Sequence, residues 1–368
     1  MGGSTERSTA GPETDGDRRT GADAAGIVVL GACAAWPLIT AAVRGGRPEG
    51  MLLAVLAVAA GYAAGRIGGA LLPVAAPAVA ALAGAGAAVL VPDLTPGPQM
   101  VTPPGHAGAT AAVLALSAGG ACCAAGAASG RAVRLALRLL AAGIAVTGAA
   151  LGSVGGCVAA AVVLLCSLAA GRAVRRGPGL AALAVTAAGV TGLTWAVAGR
   201  AVPEGFTAAV ERRLTPHRVE LWRDALAMAE RHPGVGVGPG NFGELSTAAA
   251  RSVLSGDRPH SAPLQLAAEQ GLVGAALLAA AFGWILHALW RSPRSTAVVL
   301  TAGAALTAVA AVAAVGNALS FTVVSLGAGL LAGLATARPF AQDRTPPPPA
   351  GAARVSGPRP GAGAAGRG

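Results

Sequence analysis

The chain has 368 residues, 54% of them hydrophobic and only 12% charged, with a net charge of +11. Its mean hydropathy is +0.62, and the apolar residues gather in long charge-poor blocks. That combination excludes an ordinary soluble domain of this length. The positive charge calls for no nucleic-acid partner, because the arginines follow membrane topology instead.

Residues 1–23, "MGGSTERSTAGPETDGDRRTGAD", are polar and mixed in charge, and read as a disordered cytoplasmic tail without a cleavable signal. Ten apolar spans follow, at about 24–43, 51–65, 67–91, 107–129, 135–152, 155–171, 179–199, 264–290, 295–315 and 318–337. The second and third are the least regular: Pro73 and Pro77 interrupt the third, and only Arg66 separates the two. The expected organisation is seven spans over 24–199, an extracytoplasmic segment over 200–263 and three spans over 264–337. A Pro/Gly/Arg-rich disordered cytoplasmic tail over 338–368 completes it.

All 27 basic residues are arginine. With both termini inside, 17 of them fall on the cytoplasmic side, and only Arg44 and Arg47 fall outside apart from the long segment 200–261. Long segments are weakly bound by the positive-inside rule, so the asymmetry supports ten spans in the cytoplasmic membrane with 200–261 outside. The bilayer is the first partner, and some inner arginines can touch anionic lipid. Cys33, Cys122, Cys123, Cys157 and Cys166 all lie in spans without zinc-ligand spacing, and read as small packing residues. Gly329-x-x-x-Gly333 suits close helix packing.

The outer segment concentrates the chemistry: seven of 16 acidic residues, with Glu269 just after it, and His217, His232 and His260. "AVPEGFTAAVERRL" reads as a short amphipathic helix. Next, Thr215 can cap a helix with Pro216 at its first position, and Val219, Trp222, Leu226 and Ala229 keep helical spacing over 216–231. Arg218 and Trp222 are neighbours on that helix, and a cation at its N-terminus opposes the macrodipole, which leaves room for a bound anion. "GVGVGPGNF" carries Gly234, Gly236, Gly238 and Gly240 and then Asn241. It is neither a P-loop nor a dinucleotide fingerprint; it is a flexible turn, or a nest of amides for phosphate oxygens. Pro259 and Pro263 bracket His260, and Ser261, Gln265 and Glu269 form an i, i+4, i+8 stripe expected to enter the membrane facing protein or water. His260 itself is an interfacial polar residue or a catalytic base, and His232, beside the helix-ending Pro233, is structural or solvated.

Three elements in order carry a resemblance. His260-Ser261, nine residues, then Gly271-Leu272-Val273-Gly274 resembles a signature of the O-antigen ligases, and "HPGVGVGPGNF" and Arg218-x-x-x-Trp222 resemble elements ahead of it. The resemblance implies an all-α, polytopic, GT-C-like glycosyltransferase with one large outer loop containing short helices. It would move a glycan from a polyisoprenyl (undecaprenyl-type) pyrophosphate carrier to an acceptor hydroxyl on a glycan, lipid or protein, inverting the anomeric centre without metal or other cofactor. His260 would be the base. Arg218 would bind the pyrophosphate together with Gly236, Gly238, Gly240 and Asn241, while Trp222, Ser261, Gln265 and Glu269 would support the site. Many relatives carry Ser-Arg-Gly at the outer start of a mid-chain span, where this chain has Ser153-Val154-Gly155. The missing charge would come from Arg200 or Arg223, or next from Arg212 or Arg213. Two alternatives stay open: a catalytically weakened scaffold of a polysaccharide assembly complex, and a permease with the outer loop as a lid.

Overall fold

Every regular element among the described residues is helical. The computed structural model describes residues 13–90, 106–203, 216–251, 258–338 and 340. Ten apolar helices form the body: α1 Glu13–Arg44, α2 Glu49–Leu71, α3 Ala75–Leu90, α4 His106–Ala127, α5 Arg131–Ala150, α6 Val154–Ala170, α7 Arg176–Ala198, α11 Ala262–Trp290, α12 Thr296–Val315 and α13 Thr322–Thr336. Between α7 and α11 lie α8 Pro216–Arg231 and two single turns, α9 Phe242–Leu245 and α10 Thr247–Ala250. Seven of the apolar helices are long and apolar enough to cross a membrane, whereas α3, α6 and α13 have 16, 17 and 15 residues.

Two boundaries differ from expectation. The first helix begins at Glu13 rather than near residue 24, and Asp23 already sits in it, bridging Arg66 at 3.2 Å. The second and third spans divide at residues 72–74 rather than at Arg66. Pro73 supplies no N–H and disfavours helical backbone before it, and Leu72 is non-helical at φ −130°, ψ 73°. Arg66 therefore remains inside α2. The amphipathic stretch expected before Thr215, with Arg212 and Arg213, and both extreme termini lie outside the described residues.

The interior follows from composition. Helix α4 is built of Ala, Gly, Ser, Val, Leu and Cys on every face, so any side can pack; 89% of its span is buried, against 17–28% for the spans at the periphery. Helix α12 lies beside it and is buried over 72%. The peripheral helices turn Leu53, Leu56, Ile67, Leu82, Leu139, Leu165 and Val185 outward, as a lipid-facing surface requires. The cysteines are free thiols, and Cys122 and Cys123 pack within the core.

Without a hydrophobic force between helices in lipid, close backbone approach carries association. Gly61 and Gly65 of α2 meet Gly329 and Gly333 of α13. A Cβ on any of the four would lie 2.2 Å from a carbonyl oxygen of the opposite helix. The small-residue spacing at 329 and 333 thus has a matching ladder on α2.

Contacts sort the helix ends into two sets. At one end the turn Arg44–Pro48 meets Pro239, with Arg47 N donating to Pro239 O at 2.7 Å, and Arg218 Nη1 donates to Val315 O at 3.2 Å. At the other end Arg176 Nη1 donates to Ser292 O (2.6 Å), Ser292 Oγ to Ala335 O (2.6 Å) and Arg294 Nη2 to Gly69 O (2.7 Å). This second end is the one rich in arginine.

Candidate active site

The site is organised by a break in α11. Gly271 has φ 70° and ψ −174°, so residues 262–270 form a short helix that is discontinuous with 272–290. The second part has 19 residues and rises roughly 28 Å, enough to cross a hydrocarbon core. The Ser261–Gln265–Glu269 stripe consequently lies before the break and does not run on into the long part of the helix.

A break frees backbone groups that must find partners. Val237 N and Gly238 N donate to Ala268 O and Glu269 O, both at 2.9 Å, and Trp36 Nε1 donates to Gln270 O at 3.0 Å. The Leu272 N–H goes to Pro233 O at 2.9 Å. The glycine-rich turn is therefore a clasp on the broken helix. Gly236, Gly238 and Gly240 adopt φ of 66°, 100° and 80°, which glycine tolerates without a Cβ penalty. A Cβ on Gly236 would lie 2.4 Å from Glu269 C, so no larger residue fits the seam. The amides of Gly236, Val237 and Gly238 are spent on protein carbonyls, and that of Gly240 on the Glu269 carboxyl. In this arrangement they cradle the helix rather than a phosphate. Asn241 Nδ2 closes the turn on Val237 O at 3.1 Å.

His260 stands at the other end of the short helix, just before Ser261 at its start. It is 7% exposed and holds φ 50°, a left-handed conformation uncommon outside glycine and found at functional sites when the surroundings enforce it. Its Nδ1 is buried with no hydrogen-bond partner among the described residues, as are Ser261 Oγ, His217 Nε2 and Trp222 Nε1. Burial, followed by the charges of Arg218, His217 and Arg258, lowers the His260 pKa to about 4. The ring is neutral at neutral pH. Burial also lowers the Arg218 pKa. Arg218 is fixed by its bond to Val315 O, at the end of α12.

Trp222, Val219, Leu221, Phe242 and Leu264 pack into one core that holds α8 against the short helix. Asp224 ties α8 to the turns beyond it. Its Oδ2 accepts from Ser246 Oγ (2.8 Å), Thr247 Oγ1 (3.2 Å) and Ala248 N (3.0 Å). Glu269 is 4% exposed and accepts from Gln265 Nε2 at 3.2 Å, so the acid faces protein. Beside the clasp, a cavity of about 290 Å³ opens between Gly46, Arg47, Gly240, Asn241 and Glu244.

Not every expected residue gathers here. Arg200 is exposed, and the adjoining Gly199 lies against Leu226. That is roughly 12 Å along α8 from Arg218. Arg223 is half-buried and points roughly 140° round α8 from Arg218. Val154 is 74% exposed on the first turn of α6, capped by Ser153 Oγ accepting from Gly156 N. His232 sits 3.5 Å from Arg44 Nη2, on the clasp and not on the His260 side. Three participants escaped the sequence: Arg258 and His217, whose charges act on His260, and the Arg44–Pro48 turn under the clasp. Their only signal was adjacency, Arg258 two residues before His260 and His217 next to Arg218.

Residues 106–279 match the model of the family described as O-antigen ligase. The match runs from the start of α4 past the break in α11 and contains His260, Arg218, Arg258, the glycine-rich turn and the short helix, but not Trp36, Val315 or the Arg44–Pro48 turn. No curated protein and no solved structure matches the chain.

Proposed function

Over residues 106–279 the chain is a member of the O-antigen ligase family, and from that premise we propose that it transfers a glycan from a polyisoprenyl pyrophosphate to an acceptor hydroxyl. In this reading the ten apolar helices each cross the cytoplasmic membrane. The arginine-rich ends and both termini face the cytoplasm, and the His260 neighbourhood faces out. The observation that carries the reading is a buried, neutral histidine with an unpartnered ring nitrogen, held in left-handed backbone beside Arg218 and Arg258.

In the reaction, the acceptor oxygen forms a bond to the anomeric carbon while its proton passes to His260. The bond from that carbon to the pyrophosphate oxygen breaks, and the leaving group keeps the electron pair. Arg218 offsets the charge developing there, and its planar fork matches phosphate oxygens. Arg258 takes the place sought for Arg200 or Arg223, since its charge acts on His260 and theirs are not among the causes of the His260 shift. Burial is the main cause of the low His260 pKa, and the cations that add to it are those a bound pyrophosphate neutralises, so the base strengthens when donor is present. The clasp at 234–241 sets the position of the short helix and hence of His260. The cavity above it is where the sugar chain would lie.

One observation favours the scaffold alternative: position 154 carries an exposed valine and no charge. The deciding experiment is glycan transfer by reconstituted His260→Ala protein, matched for folding and insertion. Transfer should fall by about 10²–10⁴-fold, the reach of general base help. Near-normal transfer would remove the base. No transfer by the unmutated protein over a range of donors would advance the scaffold.

A further inference from the structure

At the arginine-rich end of the bundle, remote from His260, a cleft of about 120 Å³ opens between α1, α2, α11 and the end of α13. Its lining brings three arginines, Arg66, Arg291 and Arg338, against one carboxylate, Asp23, together with the hydroxyl-bearing residues Tyr62, Ser292 and Thr336. Two more arginines stand at its edge, each tied to a backbone carbonyl: Arg176 on Ser292 O at 2.6 Å, and Arg294 on Gly69 O at 2.7 Å. Arg294 Nε is buried with no partner among the described residues. Asp23 bridges Arg66, and among the described residues the lining carries three arginines to that one carboxylate.

Membrane topology alone places arginines at this end of the helices, but gathering three of them around one cleft adds mutual repulsion that a bound anion relieves. Its place fixes which anion. The cleft lies where the helices end, and Trp290 beside it is 51% exposed, with Arg291 stacked over its ring at 5.1 Å from the centroid. An exposed tryptophan with an arginine at a helix end marks the level of lipid headgroups. Basic pockets between transmembrane helices on this side take phosphate headgroups. We infer that the cleft between Asp23, Arg66, Arg291, Ser292 and Arg338 is a binding site for a phosphate group, supplied by the headgroup of an anionic phospholipid.

The hydroxyls fit that chemistry. Tyr62 OH accepts from Arg66 Nη1 at 3.3 Å and from Thr336 Oγ1 at 3.4 Å, which leaves its own proton to donate to a phosphate oxygen, whereas the Ser292 and Thr336 hydroxyls also bond to the backbone carbonyls of Ala335 and Ala332. The site is separate from the one around His260 and stands whether or not the transfer reaction does.

The test uses the full chain in neutral detergent, with thermal unfolding followed after addition of phosphatidylglycerol, phosphatidylcholine or inorganic phosphate, and native mass spectrometry of retained lipid. Phosphatidylglycerol should raise the midpoint and remain bound; phosphatidylcholine should not. Arg291→Gln, which removes a charge stacked on the Trp290 ring, and Arg291→Gln with Arg338→Gln should weaken retention by roughly tenfold or more. Arg131→Gln, an exposed arginine at the same end but outside the cleft, should retain the full effect. An equal shift from inorganic phosphate at matched concentration would keep the phosphate site and assign it to the free ion. Equal retention in every variant, or equal stabilisation by phosphatidylcholine, would overturn the proposal.

Discussion

Gly271 and Gly234 touch backbone to backbone: a Cβ on Gly271 would lie 2.2 Å from the Gly234 carbonyl oxygen. The contact joins the break in α11 to the glycine-rich turn that satisfies the broken helix. It also explains why two sequence elements about 35 residues apart belong to one motif. Neither can change alone, because each fills the unpaired hydrogen bonds of the other.

Gly271→Ala should therefore destabilise the protein strongly. A side chain at φ 70° costs about 1–2 kcal/mol by itself, and the clash with a carbonyl cannot relax without opening the clasp. Gly283→Ala, in the same helix with open space around it, is the control and should be neutral. Thermal unfolding in detergent reads both; equal midpoints would show that the clasp is dispensable.

Arg218→Lys should reduce transfer nearly as much as Arg218→Ala, because a compact ammonium cannot reach Val315 O and at the same time present a planar, parallel pair of donors to phosphate. Arg258→Gln should lower transfer more than Arg200→Gln does, since the charge of Arg258 acts on His260 and Gly199, beside Arg200, lies against the far half of α8. His232→Ala should leave transfer largely intact. Steady-state transfer with purified donor measures all five, and a larger loss at Arg200 than at Arg258 would reverse the assignment.

The pH dependence has a defined sign. The His260 pKa is lowered to about 4 in the folded protein, from an ordinary value near about 6.5. Between these values the unfolded chain binds the proton first, so stability is retained above the upper value and declines as pH falls toward the lower one. The acid limb of kcat/KM, which reports the free enzyme, should lie well below neutrality, and the limb of kcat should lie higher, once pyrophosphate offsets the cations. Arg218→Gln should move the kcat/KM limb upward. A limb that ignores this substitution would separate Arg218 from the base.

Topology can be read by labelling. Ser246 looks like a natural loop position for a reporter cysteine, but it is 1% exposed and bonded to Asp224. Ala250 is exposed at the end of α10, so Ala250→Cys should react with a membrane-impermeant thiol reagent in intact cells. Reaction only after permeabilisation would invert the membrane and with it the site.

Much of the molecule was legible from residues alone. The apolar blocks and the arginine asymmetry specify an all-helical multi-pass protein, because lipid leaves a backbone no other common way to satisfy itself. The helix over 216–231 followed from its period, and appears as Pro216–Arg231. The elements around His260, Arg218 and Gly271 were visible as a pattern in order. What remained hidden has one physical cause: the sequence shows which polar groups exist, and only the tertiary structure shows which are already partnered. The glycine turn reads as a phosphate nest until its amides are found on Ala268, Glu269 and the Glu269 carboxyl. Gly271 reads as one glycine in a helix until its φ is seen to break that helix. Arg200, Arg223 and Arg258 are equal as letters, and only the folded chain shows that the charge of Arg258 acts on His260.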